Sequence, residues 1–331
     1  MIENDAIRAL SHFGITPQEI HVIVNKKDRN VWKVINNSGE FALKRVENLD
    51  RAFKIASVSQ YLSSKGLSVM RILPSKNGHM VVKDRSQYYL LSPWIQGINP
   101  RYKTQGMVEN IITFLAKFHL LSKGYICPTG KNQKKVQIEH DWESEYKDKS
   151  RELEIIYKMA VHDPHPIPQL FMNYYPWLKK RIQWVQDYLP QTAYSTLIKK
   201  AKKEPMLIHR DFKSKNLLVD EHGNLTMLDL DYLCNGLPLW DLAKIISSFN
   251  HQFGWSENRF HSMLNIYERT LPLTKDEHTL LLMDLVLPRR PLTLIQRYCE
   301  GKRNISLEKL DRSIKIDQMT LNDLNIGPKL T

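Results

Sequence analysis

Four polar side chains crowd one short and otherwise apolar stretch, MLIHRDFKSKNLLVDEHGNLTMLDLDY at residues 206–232: Asp211, Lys213, Asn216 and Asp229. Their types define a chemistry. Magnesium prefers hard oxygen ligands, and Asp229 with the Asn216 side-chain carbonyl supplies them beside phosphate oxygens. A separate carboxylate, Asp211, can orient an incoming hydroxyl and accept its proton. Lys213 can reach a transferred phosphate and offset the negative charge that develops there. The set suits phosphoryl transfer to a hydroxyl from ATP or another nucleoside triphosphate, with Mg2+. A lone HRD would be a chance tripeptide, with the acids capping turns. Here Asn216 falls five positions after Asp211, both flanks are apolar, and an apolar run ends in Asp229. That combination is specific.

Such groups work only if the chain brings them together. The runs MLIH and LLVD predict a hairpin-like support whose loop exposes Asp211, Lys213 and Asn216. A second hairpin, turning at His222-Gly223-Asn224, brings Asp229 to the end of a neighbouring strand. Upstream, Ile2, Ala6, Ile7, Leu10 and Phe13 share one helical face that ends at Gly14. The alternating segments EIHVIV, NVWKVIN and EFALKRV predict three antiparallel strands. A helix over Arg51–Lys65 follows, closed by Gly66, and then HMVVKD and QYYLLSPWI predict two further strands. From Thr104 the pattern turns helical: GMVENIITFLAKFHLLSKG, WESEYKDKSRELEIIYKMA, Pro176–Tyr188, Ala193–Lys203, and most of the chain after Leu239. The class is α+β, with a lobe boundary near Ile98–Lys103: residues 1–98 form a nucleotide-binding lobe with its connector, and 99–331 a helical catalytic and acceptor lobe.

HRDFKSKN resembles the catalytic loop of protein kinases, HRDLKxxN, and the longer arrangement is similar to the aminoglycoside phosphotransferase and choline kinase group. Within that group SVSQYLSSKGL, QYYLLSPWIQG, FLAKFHLLSKGY and LDLDYLCNGLPLWDLAKII resemble the CotS-type spore-coat proteins of endospore-forming bacteria, over roughly residues 5–320. The resemblance implies a two-lobed protein-kinase-like fold, with a small antiparallel-sheet N-lobe and a larger, mainly helical C-lobe. LDLDY would then take the place of the DFG segment, with Asp229 holding magnesium. His209 and Arg210 would shape the catalytic loop, and Asp241 would hydrogen-bond its backbone. Lys44, in EFALKRV, resembles the strand lysine that holds the α- and β-phosphates. Gln87–Ile95 would connect the lobes, with backbone groups at Ser92, Trp94 and Ile95 binding adenine; Pro93 removes one donor there. Deposition in the spore coat, beside other coat proteins, is a further implication.

Two departures bear on catalysis. The loop expected to cover the nucleotide is NKKDRN, which has no glycine to let the backbone approach phosphates. Lys26, Lys27 and Arg29 either supply charge instead or form a solvated hairpin tip. Kinases also hold the strand lysine with a Glu from the first-lobe helix. In DRAFKIASVSQYL that place falls near Ile55, and no carboxylate follows Asp50, so Lys44 needs another partner, such as Asp229 or the nucleotide.

The remaining features narrow the class. The 331 residues carry a formal charge of +13, with 42% hydrophobic and 25% charged residues, as expected of a globular chain with a general preference for anions. The basic residues are scattered, with short runs at Lys131–Lys135 and Lys199–Lys203, and form no nucleic-acid module. Three isolated cysteines argue against a disulfide framework or a zinc site. HDPHPIP has the character of a rigid loop. Asp141, Glu143 and Glu145 lie where related enzymes build an acceptor pocket, or else on a solvated helix face. No segment has the apolar length of a membrane span, and the N-terminus lacks a signal peptide's apolar core, which predicts cytosolic synthesis. Two functions follow as expectations. One is an ATP/Mg-dependent phosphotransferase acting on a hydroxyl of a small molecule, sugar or coat component; the other is a weakly active or inactive kinase-fold structural protein of the coat.

Overall fold

A computed structural model describes residues 2–26, 29–101, 104–128, 138–302 and 305–328. In chain order the elements begin with α1 (Ile2–Phe13), β1 (Glu19–Asn25), β2 (Arg29–Asn36), β3 (Gly39–Val46), α2 (Leu49–Ser64), β4 (Val82–Asp84), β5 (Gln87–Pro93) and α3 (Gln105–Leu121). They continue with α4 (Trp142–Ala160), α5 (Pro166–Tyr188), α6 (Tyr194–Lys203), β6 (Met206–Ile208), β7 (Leu217–Val219), β8 (Leu225–Met227) and β9 (Cys234–Gly236). The last are α7 (Leu239–Phe253), α8 (Glu257–Glu268), α9 (Lys275–Leu285), α10 (Arg289–Cys299) and α11 (Leu307–Asp323). The chain forms two compact units, Met1–Val136 with His209–Cys234, and Gln137–Ile208 with Asn235–Thr331.

The first unit is built on an antiparallel sheet in the order β1-β2-β3-β5-β4. Alternation along β2 and β3 sends Trp32, Val34 and Leu43 inward, where they pack with Tyr89 and Leu91 of β5 and with Ala6, Ala9 and Leu10 of α1. Asn48 starts α2 by accepting the Arg51 amide at 2.8 Å, a side-chain cap that satisfies an otherwise orphaned donor. Ile55, Val58 and Leu62 bury the inner face of α2. The NKKDRN turn follows a register shift between Val22 and Val24; Lys27 lies outside the described residues, as does the Lys131–Lys135 run.

The β7–β8 hairpin belongs to this unit because backbone bonds stitch it in on two sides. Met70 N–H donates to the Met227 carbonyl at 2.9 Å, and Met227 N–H to Ser68 at 3.0 Å. On the other strand Ile98 and Val219 exchange bonds of 3.1 and 2.9 Å. The approach is so close that a Cβ on Gly97, at φ 146°, would stand 2.8 Å from the Val219 carbonyl oxygen. Glycine is needed there.

The second unit is helical apart from β6 and β9. β6 pairs with β9, not with β7, so the first of the two expected hairpins does not form. Its would-be turn is instead an irregular loop with Arg210 at φ 64° and a single 3-10 turn at Ser214–Asn216. α5 begins ten residues before the expected Pro176, because Pro166 suits a first helical turn and His165 Nδ1 accepts the Ile167 amide at 3.3 Å. HDPHPIP is thus a loop that runs into a helix start. The HMVVKD strand is confined to Val82–Asp84. Among the described residues no helix is long and apolar enough to cross a membrane, and the three cysteines carry free thiols.

Candidate active site

The sequence-predicted residues Lys44, His209, Arg210, Asp211, Lys213, Asn216 and Asp229 all fall within the first unit. The loop between β6 and β7 is held by its own polar groups. Asp211 N–H donates to His209 Nδ1 at 3.3 Å, which leaves Nε2 as the protonated nitrogen, donating to the Leu228 carbonyl at 3.3 Å. Asn216 Nδ2 donates to both the backbone oxygen and Oδ2 of Asp211, at 2.8 and 2.9 Å. Lys213 forms an ion pair with the other carboxylate oxygen. One further bond joins the loop to the second acid: Leu228 N–H donates to the Asn216 carbonyl at 2.8 Å. Asn216 and Asp229 therefore flank the same rung at the end of the β7–β8 ladder, where Leu217 pairs with Met227.

Asp229 sits at φ 54°, a left-handed conformation rare for a residue with a side chain. Both its carboxylate oxygens face Arg29 Nη1, at 3.2 and 3.1 Å, and Oδ1 also faces Lys44 Nζ at 3.4 Å. Burial opposes ionisation of Asp229, but Lys44 and Arg29 prevail and hold its carboxyl below the usual range.

Lys44 answers the absence of a helix carboxylate with two acids of the LDLDY segment. Its main partner is Asp231, two residues beyond Asp229. Asp231 is almost fully buried, and its other oxygen accepts from Arg51 Nη2 of α2 at 2.8 Å, with Arg29 at 3.6 Å. The helix thus contributes a cation, Arg51, one turn before the Ile55 position where a glutamate was expected, and the carboxylate comes from the LDLDY segment. Ile55 is simply core. The available signal was the second acid of LDLD, a further carboxylate beside Asp229 in an otherwise apolar run.

Part of the connector's backbone is engaged by β3. Trp94 N–H donates to the Glu40 carbonyl at 2.9 Å, and Ala42 pairs with Ser92 two residues along in the same register. Paired and unpaired rungs alternate in an antiparallel ladder, so the Ser92 and Trp94 backbone groups both point at β3. The Pro93 carbonyl faces away, on the side where the Leu91 carbonyl accepts from Leu73 at 2.8 Å. The Trp94 ring carries the Lys33 ammonium, 5.0 Å from its centroid.

The donor set fits a divalent metal held jointly with a phosphate. Asp229 and the Asn216 amide oxygen are hard ligands just past the end of the β7–β8 ladder. Among the described residues no group of three or more His, Cys, Asp or Glu side chains could hold a metal on its own, so phosphate oxygens would have to complete the shell.

In the second unit Asp241 is buried in the first turn of α7. The three acids considered for an acceptor differ in use. Asp141 caps α4, accepting from Glu143 N–H, Ser144 N–H and the Tyr194 hydroxyl at 3.3, 3.1 and 3.0 Å; Asp141 and Glu143 are both exposed. Glu145 is inside, accepting from Arg289 Nε and Nη2 at 3.2 and 3.1 Å and from Trp240 Nε1 at 2.9 Å. Beside it the Lys244 ammonium lies 3.6 Å from the Trp240 ring centroid, and burial, with Arg289 adding repulsion, lowers its pKa to about 8. An unfolded lysine titrates near 10.4, so between about pH 8 and 10.4 the unfolded chain binds more protons and stability rises with pH. Lys244→Met should remove that rise and stabilise the neutral protein by roughly 3 kcal/mol before any loss of the ring contact. Denaturant melts at pH 7 and 10 measure this; an undiminished slope in the variant would exclude Lys244 as its source.

A strand lysine, an HRDxxxxN loop and a following acid at the end of a hairpin, under a five-stranded antiparallel sheet and ahead of a helical region, define the protein-kinase-like fold. The chain belongs to the phosphotransferase enzyme family APH, whose model matches residues 22–270. It is 24% identical over 329 residues to spore coat protein S of Bacillus subtilis (strain 168), covering 97% of this chain and 93% of that protein. Among solved structures it is similar to an aminoglycoside phosphotransferase from Alicyclobacillus acidocaldarius, with TM-score 0.78, 13% identity, and 96% and 94% of the two chains covered. It is also similar to amicoumacin kinase hAmiN in complex with AMP-PNP, Ca2+ and Ami, with TM-score 0.64, 14% identity, and 100% and 96% covered.

Proposed function

We propose that this chain is a kinase-like protein of the spore coat that transfers the γ-phosphoryl group of ATP to a hydroxyl of a small molecule, sugar or coat component. The observation that carries the reading is the continuous linkage from Asp211 through Asn216 to the Leu228–Asp229 rung, with Lys44 against Asp229. Similarity to spore coat protein S over nearly the whole chain supports the location, and the amicoumacin kinase complex with AMP-PNP and Ca2+ supports use of a nucleotide and a divalent metal. The division of labour is residues 1–98 for the nucleotide and 99–331 for catalysis and the acceptor.

In this reading Asp211 orients the acceptor hydroxyl and takes its proton as the new O–P bond forms and the β–γ bridging bond breaks. Lys213, already beside Asp211, turns to the transferred phosphoryl oxygens, and Lys44 holds the α- and β-phosphates. Adenine would meet the Pro93 carbonyl and the Ile95 N–H. Asp229 and the Asn216 amide oxygen would hold Mg2+, which supplies charge neutralisation between the phosphates. His209 and Arg210 maintain the loop.

A second reading, a structural coat protein without turnover, is favoured by one observation: Asp229 and Asp231 are already neutralised by Arg29, Lys44 and Arg51. Thermal denaturation with Mg–ATP separates the two. A live site should be stabilised in a magnesium-dependent way, by about 2.7 kcal/mol at a hundredfold excess over Kd. An unmoved melting curve at millimolar Mg–ATP would favour the structural protein.

A further inference from the structure

Resting on the nucleotide-site reading, we infer that Arg29 replaces the missing glycine loop as a phosphate-binding arm, and that it holds Asp229 in the metal's stead until a nucleotide draws it away. Arg29 stands at the start of β2, within the NKKDRN segment, where a glycine-rich loop would bring backbone amides to phosphates. A guanidinium offers an alternative, since its planar fork of N–H donors matches phosphate oxygens. Its Nη1 lies 3.1–3.2 Å from both Asp229 oxygens, the same atoms a divalent cation needs, so the ion pair and metal ligation exclude each other.

The arm is built to leave. Its side chain retains 20% exposure, and the turn before it is closed by backbone bonds between Lys26 and Arg29 of 2.9 and 3.3 Å, so β2 stays in place while the side chain swings. Asp231 would keep Lys44 and Arg51 after Arg29 departs, and Lys44 would stay poised. Nucleotide phosphates give Arg29 a new partner and free Asp229 for metal. Metal and nucleotide must then bind synergistically, and by reciprocity each tightens the other by the same factor.

The experiment titrates Mn2+ into the full chain, alone and with saturating AMP-PNP, following free Mn2+ by electron paramagnetic resonance; AMP-PNP affinity without metal is measured by calorimetry. Arg29→Met should bind Mn2+ alone about three- to tenfold more tightly, as expected for loss of a competing partly exposed ion pair. It should bind AMP-PNP alone correspondingly more weakly, so the synergy shrinks. Arg29→Lys, which keeps the charge and loses the fork, should lie between the two. Mn2+ binding that is unchanged or weaker in Arg29→Met overturns the inference while leaving the nucleotide site standing. A wild-type chain that binds no Mn–AMP-PNP overturns both.

Discussion

Replacing Asp211 with alanine is expected to lower phosphoryl transfer about a hundred- to ten-thousand-fold, the usual contribution of a positioned general base, with nucleotide affinity nearly unchanged. The reason lies in what Asp211 touches. Its carboxylate contacts Lys213 and Asn216, and neither Lys44 nor Arg29, so its removal should act on the attacking hydroxyl and not on the phosphates held at Lys44 and Asp229. Transfer of label from γ-labelled ATP to water and to a panel of polyhydroxylated and amino-alcohol acceptors measures the rate; AMP-PNP calorimetry measures binding. Asp229→Asn should show the converse, losing metal-dependent nucleotide binding first. Equal rates for wild type and Asp211→Ala would remove Asp211 as the base. Weakened nucleotide binding in that variant would mean the loop had collapsed, and Asp211→Asn, which preserves the shape of the hydrogen-bonded loop, would then carry the comparison.

The second large effect is one of stability. Arg289→Ala should destabilise the helical unit by about 3–5 kcal/mol, the cost of stranding buried charges. The Arg289 guanidinium donates to Glu145 and, through Nη1 and Nη2 at 2.9 and 2.6 Å, to Asp284, which is fully buried and also accepts from the Tyr146 hydroxyl at 3.0 Å. Burial pushes the Asp284 carboxyl up; Arg289 and His140 hold Glu145 down against its own burial. Without the arginine, two carboxylates remain inside stripped of their main counter-charge, with His140 left against Glu145, and they must either take up protons or open the structure to water. Guanidinium denaturation followed by tryptophan fluorescence reports the loss, since Trp240 donates to Glu145. Replacing Arg289, Glu145 and Asp284 together with apolar residues of similar volume should recover much of the stability. If Arg289→Ala were within 1 kcal/mol of wild type, these carboxylates would not depend on the arginine.

Much of this was legible in the residues. Strand order from β1 to β5, α1 to α4, and the His222-Gly223-Asn224 turn follow from hydrophobic period and turn chemistry. Those signals act over a few residues and survive whatever packs against them. The Asp220 carboxylate shows how local the turn is, accepting from His222 and Asn224 amides at 3.0 and 2.8 Å. The HRDFKSKN loop was equally readable, because Asp211 and Asn216 are bonded within six residues of each other. By contrast, Glu145 was read as solvated or acceptor-facing, since one acid on a charged helix resembles the next until its partner, 144 residues away, is known.

What the chain's letters determined, then, is which side chains are present and which local scaffold carries them: a strand lysine, a loop acid with its amide, and an acid after a hairpin. Tertiary structure decided their partners. Lys44 chose Asp231 across 187 residues and Arg29 chose Asp229 across 200; β6 turned to β9; and β3 claimed the backbone of Ser92 and Trp94. The physical reason is the same in each case. Charge attraction and strand pairing are not encoded in spacing along the chain, so they are settled only when distant segments meet and each buried donor and carboxylate must find its counterpart.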